Sequence, residues 1–113
     1  MELEMTDLGT ASKIALQGRL DTPTVGRIET RFTASVVSPG RNAIVDLTQV
    51  TFVSSMGIRL LLTTARSLSL KKAKLVLFGA QPLVMETLEH VALPDIIPVA
   101  ADETQALAML QAA

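Results

Sequence analysis

The passage from Ala43 to Leu68, where a β-branched apolar run gives way to a helical one, most restricts what this chain can fold into. Ala43, Ile44 and Val45 suit a strand covered on both faces. Asp46 then closes the strand, and DLTQVTFVSSMG, from Asp46 to Gly57, leads through a tight turn to a bare helix start. Beyond it Ile58, Leu61, Leu62, Ala65 and Leu68 recur at spacings of three and four, which makes one face of a helix apolar as far as about Leu70. Leu75 to Phe78 is again continuously apolar and ends at Gly79. Two buried strands joined by one helix form a βαβ unit, which crosses over right-handedly and leaves its strands parallel.

Two serines stand at that helix start. The first turn of a helix has unpaired N–H groups and a positive dipole end, and both favour an oxygen or an anion beside them. Ser54 or Ser55 supplies such an oxygen as an N-cap, worth about 1 kcal/mol. A reciprocal capping box needs Glu or Gln three residues on, but Ser54 is followed there by Gly57 and Ser55 by Ile58. N–H groups therefore remain that a phosphate can occupy. A structural cap and an anion site both fit these residues.

The flanking segments complete a mixed sheet. Glu2, Leu3, Glu4, Met5 and Thr6 alternate as a strand with one wet face, and Asp7-Leu8-Gly9-Thr10 turns into a second strand over Lys13–Gln17, giving an antiparallel hairpin. Gly18-Arg19-Leu20-Asp21 leads out of it. Pro23 suits the start of a first helix capped by Thr22, whose Val25, Ile28, Phe32 and Val36 face inward until Ser38-Pro39-Gly40 ends it. A third helix spans about Gln81 to Val91 with Val84, Leu88 and Val91 inward, and Pro94 stops it. Ile96 to Val99 reads as a last short strand, placed at the sheet edge by Pro98, and Asp102 caps a final helix that packs Ala106, Leu107 and Leu110. The expected fold is α/β: one domain over residues 1–113, four to five strands, an N-terminal hairpin, βαβ crossovers and about four helices.

Composition narrows the function. No cysteine is present, which excludes disulfides, thiolate catalysis and cysteine-ligated zinc. The first residues lack the basic and apolar regions of a signal peptide, and no apolar run is long enough to span a bilayer, so a cytoplasmic protein without direct membrane insertion is expected. Ten basic against eleven acidic side chains, with three Phe and no Trp or Tyr, offer neither the charge nor the stacking platforms of a nucleic-acid binder. Protein partners are the expectation, with the chain itself a monomer or weak dimer.

Catalytic constellations are thin. His90, the single histidine, lies off the apolar face of its helix and one turn from Glu86, as an exposed ion pair would; alone it builds neither a triad nor a metal site. Asp21 and Asp46 can fall near one end of the sheet, but nothing in their spacing makes an acid/base pair. No phosphate-binding loop occurs. Lys71, Lys72 and Lys74 complement a helix C-terminus as solvated charge. On the second helix Met56, Leu60, Thr63 and Ser67 fall opposite the apolar face, a small docking patch beside Ser55 unless neighbouring helices cover it. Arg59, between the two faces, is within reach of a phosphate on Ser55 or of a partner's carboxylate. No cofactor or metal is expected.

The segment Asp46-Leu47-Thr48-Gln49-Val50-Thr51-Phe52-Val53-Ser54-Ser55-Met56-Gly57-Ile58, with Gly18-Arg19-Leu20-Asp21 upstream, resembles the STAS domain, specifically the stand-alone bacterial anti-sigma-factor antagonists, and the likeness extends over essentially the whole chain. The resemblance implies a partner-switching regulator of transcription, a signal-transduction phosphoprotein with no catalysis of its own. Unphosphorylated, it binds an anti-sigma factor that is also a serine kinase; phosphorylated, it is released, and a metal-dependent phosphatase of the PP2C type resets it. Aligning on Phe52 and Gly57 places the modified serine at Ser55, with Ser54 the second choice. Ser54 stands where the family often has Asp, and Met56 where it has a small residue. Asp21 matches an acidic residue near the modified turn. The implied partner surface is Asp21, Ser54, Ser55, Met56, Gly57, Arg59, Leu60 and Thr63. A rival reading makes the chain a subunit docking on the ATPase of a lipid-transporting ABC system, since similar small domains do so. An enzymatic reading rests only on Asp21, Asp46 and the serines.

Overall fold

The computed structural model describes residues 2–111. Its elements run β1 (Glu2–Asp7), β2 (Ser12–Leu20), α1 (Thr22–Val37), β3 (Ala43–Val53), α2 (Ser55–Leu70), β4 (Leu75–Phe78), α3 (Pro82–His90), β5 (Val99–Ala100) and α4 (Glu103–Gln111), with a 3-10 turn at Leu93–Asp95. One five-stranded sheet has the order β1-β2-β3-β4-β5. Only the first pair is antiparallel; β2 through β5 are parallel. The hairpin and the βαβ crossovers are therefore as the sequence patterns require.

Alternation along the strands divides the core in two. Val45, Leu47, Leu75 and Leu77 point to the face covered by α1, α2 and α3, where Phe32, Val36, Leu61, Leu68 and Leu88 are fully buried. Ile44, Val76 and Phe78 point the other way, against Ala106 and Leu110 of α4. Lys13 tethers that helix to the sheet: its ammonium pairs with Glu103 and lies 5.9 Å from the centre of the Phe78 ring. The helix covers only part of this face, and Glu2, Glu4, Gln17 and Gln49 stay exposed beyond it.

β3 departs most from expectation. Asp46 does not close the strand, which continues to Val53. Its pairing with β2 shifts register twice, between Ala15 and Gln17 and between Gly18 and Arg19, so β3 carries two extra residues. Bulges of this kind bend and twist a strand. The Asp46 carboxylate holds the first one, accepting from the Thr48 N–H at 2.8 Å and the Thr48 hydroxyl at 2.7 Å. Past it the buried positions are Leu47, Val50 and Val53, every third residue, and the strand signal based on alternation disappears. β2 likewise runs on to Leu20 rather than ending at Gln17.

Smaller corrections have local causes. Asp21, not Thr22, caps α1, and Pro23 falls one position further into the helix. Val91 is 52 % exposed because α3 ends at His90; Ala92 turns left-handed (φ 55°), and Pro94 lies in the 3-10 turn that follows. The last strand begins only at Val99, with Ile96 exposed and Ile97 buried. Lys71 serves two helix ends, one of them distant in the chain: its backbone N–H caps α2, while its ammonium donates to the carbonyl of Val37 at the end of α1 at 3.0 Å.

Candidate functional site

Parallel strands with helices returning over one face bring the starts of α1, α2 and α3 to the carboxyl edge of the sheet, where open α/β folds place their sites. The start of α2 is held there by three contacts. The Ser54 N–H donates to the Leu20 carbonyl at 2.9 Å. The Ser54 hydroxyl accepts from the Gly57 N–H at 3.3 Å, the one-sided cap expected without a capping-box glutamate. Gly57 is buried so closely on β2 that a Cβ there would lie 2.9 Å from both Cγ and the carbonyl oxygen of Leu20.

These contacts separate the two serines. Ser54, half-buried, is the N-cap of α2, and its hydroxyl is engaged. Ser55 is the first residue of the helix and is exposed. Met56, 36 % exposed, lies next to it, and Arg59 and Thr63 follow Ser55 at successive intervals of four, forming an exposed stripe. Leu60 does not belong to that surface. It is 3 % exposed, because α2 packs against α1 as well as the sheet and so buries a second flank; for Leu60 the alternative that neighbouring helices cover the patch is the one that holds.

Beside the turn, Asp21 caps α1. Its Oδ1 accepts from the Thr24 hydroxyl at 2.7 Å and the Thr24 N–H at 3.1 Å, and Arg19 Nε lies 3.5 Å from Oδ2. The Thr24 hydrogen bonds, with Arg19 adding to them, hold the Asp21 carboxyl below the ordinary 3.8. Asp21 is thus ionised and satisfied, poorly disposed to act as a base. The Arg19 guanidinium also stacks 4.3 Å above the centre of the Phe52 ring. That ring is 39 % exposed and borders a shallow groove shared with Leu83, Glu86, Thr87 and His90 of α3. In the sequence Arg19 and Phe52 are only letters of the motif, with no role of their own. Their pairing follows from the β2–β3 register after the second bulge, which no local pattern reveals.

The remaining candidates are dispersed. Asp46 lies across from Ala15 in the β2–β3 ladder, well before the strand ends, while Asp21 follows the last residue of β2, so the two carboxylates are not brought together. Among the described residues no group of His, Asp and Glu is placed to hold a metal ion, and no helix is long and apolar enough to cross a membrane.

The sequence model of the STAS domain matches residues 2–106. BtrV of Bordetella bronchiseptica, named as a candidate anti-sigma factor antagonist, is 29 % identical over all of this chain and 97 % of its own. An anti-sigma factor antagonist from Mycobacterium paratuberculosis superposes with a TM-score of 0.87 at 20 % identity, over 98 % of this chain and 94 % of the other. The anti-sigma factor antagonist SpoIIAA in its unphosphorylated form gives 0.80 at 20 % identity, over 97 % and 96 %. The phosphorylated form of the Bacillus SpoIIAA gives 0.71 at 19 % identity, over 97 % and 100 %.

Proposed function

The chain belongs to the STAS domain family, and from that premise we propose that it is an anti-sigma-factor antagonist that switches partners through the start of α2. Unphosphorylated, it binds an anti-sigma factor kinase through Asp21, Ser54, Ser55, Met56, Arg59 and Thr63, with buried Gly57 setting the turn from beneath, and so frees a sigma factor. Phosphorylated on Ser55 it dissociates, and a PP2C-type phosphatase restores it. Catalysis belongs to those partners. Leu60, which the wheel placed on this surface, acts only as core.

The observation that carries this reading is the division of labour between the serines: one hydroxyl is used as a cap, the other is exposed on the first turn. Phosphorylation adds about −1.5 to −2 charges. In the free protein the dipole and N–H groups of the first turn favour that charge by up to about 2 kcal/mol. Across a packed interface the same dianion loses water without gaining a partner from the kinase, an effective penalty of several kcal/mol. A loss of about 3 kcal/mol already weakens binding roughly a hundredfold. The complex fails while the fold survives.

The test incubates the protein with ATP and each anti-sigma-type serine kinase encoded in the same genome, then maps the label. Wild type and Ser54→Ala become labelled and Ser55→Ala does not, and labelling releases the kinase from a pull-down. If Ser55→Ala is labelled like wild type, the site is wrong. If the protein instead co-purifies with a transporter ATPase regardless of phosphate, the transporter-subunit reading replaces this one.

A further inference from the structure

Building on the assignment of Ser55 as the modified residue, we propose that Arg59 is the internal counter-ion of that phosphate, so that modification both adds a dianion at the turn and withdraws the arginine from the docking surface. Ser55 and Arg59 are both exposed and stand four residues apart on α2, which separates them by one turn, about 6 Å along the axis. Side chains on a helix lean toward its N-terminus, so the root of Arg59 is directed toward the turn that carries Ser55 and its long side chain can span the gap. Among the described residues Arg59 has no hydrogen-bond or ion-pair partner to give up.

Of the other charges near this end of the sheet, Arg27 on α1 is also exposed and has no partner among the described residues, but it stands on a different helix from Ser55. Arg19 pairs with Asp21 at 3.5 Å and stacks on Phe52. Glu86 and His90 border the groove on the α3 side of Phe52. Arg59 is therefore the uncommitted cation one helical turn from Ser55 on its own helix. A guanidinium also presents a planar fork that fits phosphate oxygens in pairs, where an ammonium offers only a point charge.

The result is a switch with two coupled parts. Before modification Arg59 is available to an acidic group on the partner. After modification it is bound to the chain's own phosphate, and the partner loses an attractive contact while it gains a repulsive one.

The experiment uses full-length protein with phosphoserine genetically encoded at position 55, so that it does not depend on the kinase. The phosphate is titrated by phosphorus NMR in wild type and in Arg59→Gln, Arg59→Lys and Arg66→Gln. Arg66 is exposed on the same helix but 11 residues from Ser55, about 16 Å along the axis and beyond a Debye length at about 0.1 M salt. The second ionisation of the phosphoserine lies below its ordinary value of about 6 in wild type. Arg59→Gln raises it by about half a pH unit, Arg59→Lys by less, and Arg66→Gln leaves it in place. An unchanged titration in Arg59→Gln, or an equal shift in Arg66→Gln, overturns the pairing. Failure of the kinase to label Ser55 is a separate result and bears only on the assignment above.

Discussion

Replacing Gly57 by alanine tests the geometry on which the site depends, because two large effects oppose each other there. Alanine is the better helix former by about 1 kcal/mol. Against this, its Cβ would stand 2.9 Å from Leu20 Cγ, 2.9 Å from the Leu20 carbonyl oxygen and 3.0 Å from Leu20 Cδ2. The side chain can rotate only into a packed core, since Leu20 is fully buried, and the carbonyl is backbone in the sheet. The helix must therefore retreat. Overpacking of this kind costs about 1–3 kcal/mol. Retreat also stretches the Ser54 N–H to Leu20 carbonyl hydrogen bond, now 2.9 Å, worth about 1 kcal/mol. The sum is a destabilisation of about 2 kcal/mol, with sterics outweighing propensity. Urea unfolding followed by circular dichroism reads it as a midpoint lower by about 1 M at unchanged slope. A midpoint equal to or above wild type would refute the close-approach argument, because propensity alone would then have decided the outcome.

Two further predictions concern stability. Ser54→Ala removes the cap of α2 and lowers stability by about 1 kcal/mol, whereas Ser55→Ala, at an exposed position, stays within about 0.5 kcal/mol; equal effects in urea melts would contradict the separation of the two serines. Asp21 and Asp7 both titrate below the ordinary 3.8, Asp21 through its hydrogen bonds from Thr24 and Asp7 through Arg41 and the Gly9 N–H. Depressed folded values mean that their stabilisation is complete above 3.8 and is lost as the pH falls through those values. Thermal melts therefore drop below about pH 4, and Asp21→Asn, which keeps a capping carbonyl, flattens the drop; an unaltered pH profile in Asp21→Asn would remove Asp21 from the cause.

Periodicity and punctuation in the sequence determined the hairpin, the βαβ unit and the ends of α2, because those signals come from residues within one turn or one strand of each other. They also determined that a serine stands at a helix start without a reciprocal partner. Three things were decided by contacts distant in the chain. The bulges in β3 are stabilised by pairing with β2, and they turn a stretch that looks like a loop into a strand delivering Phe52 and Ser54 to the edge. Leu60 is buried because α1 comes to lie against α2, a fact absent from the wheel of either helix. The roles of the two serines diverge because Leu20 anchors Ser54 and crowds Gly57, turning one hydroxyl inward as a cap while the next remains in solvent. Local sequence specified which groups are present at the turn; tertiary packing specified which of them is engaged as a cap and which is exposed.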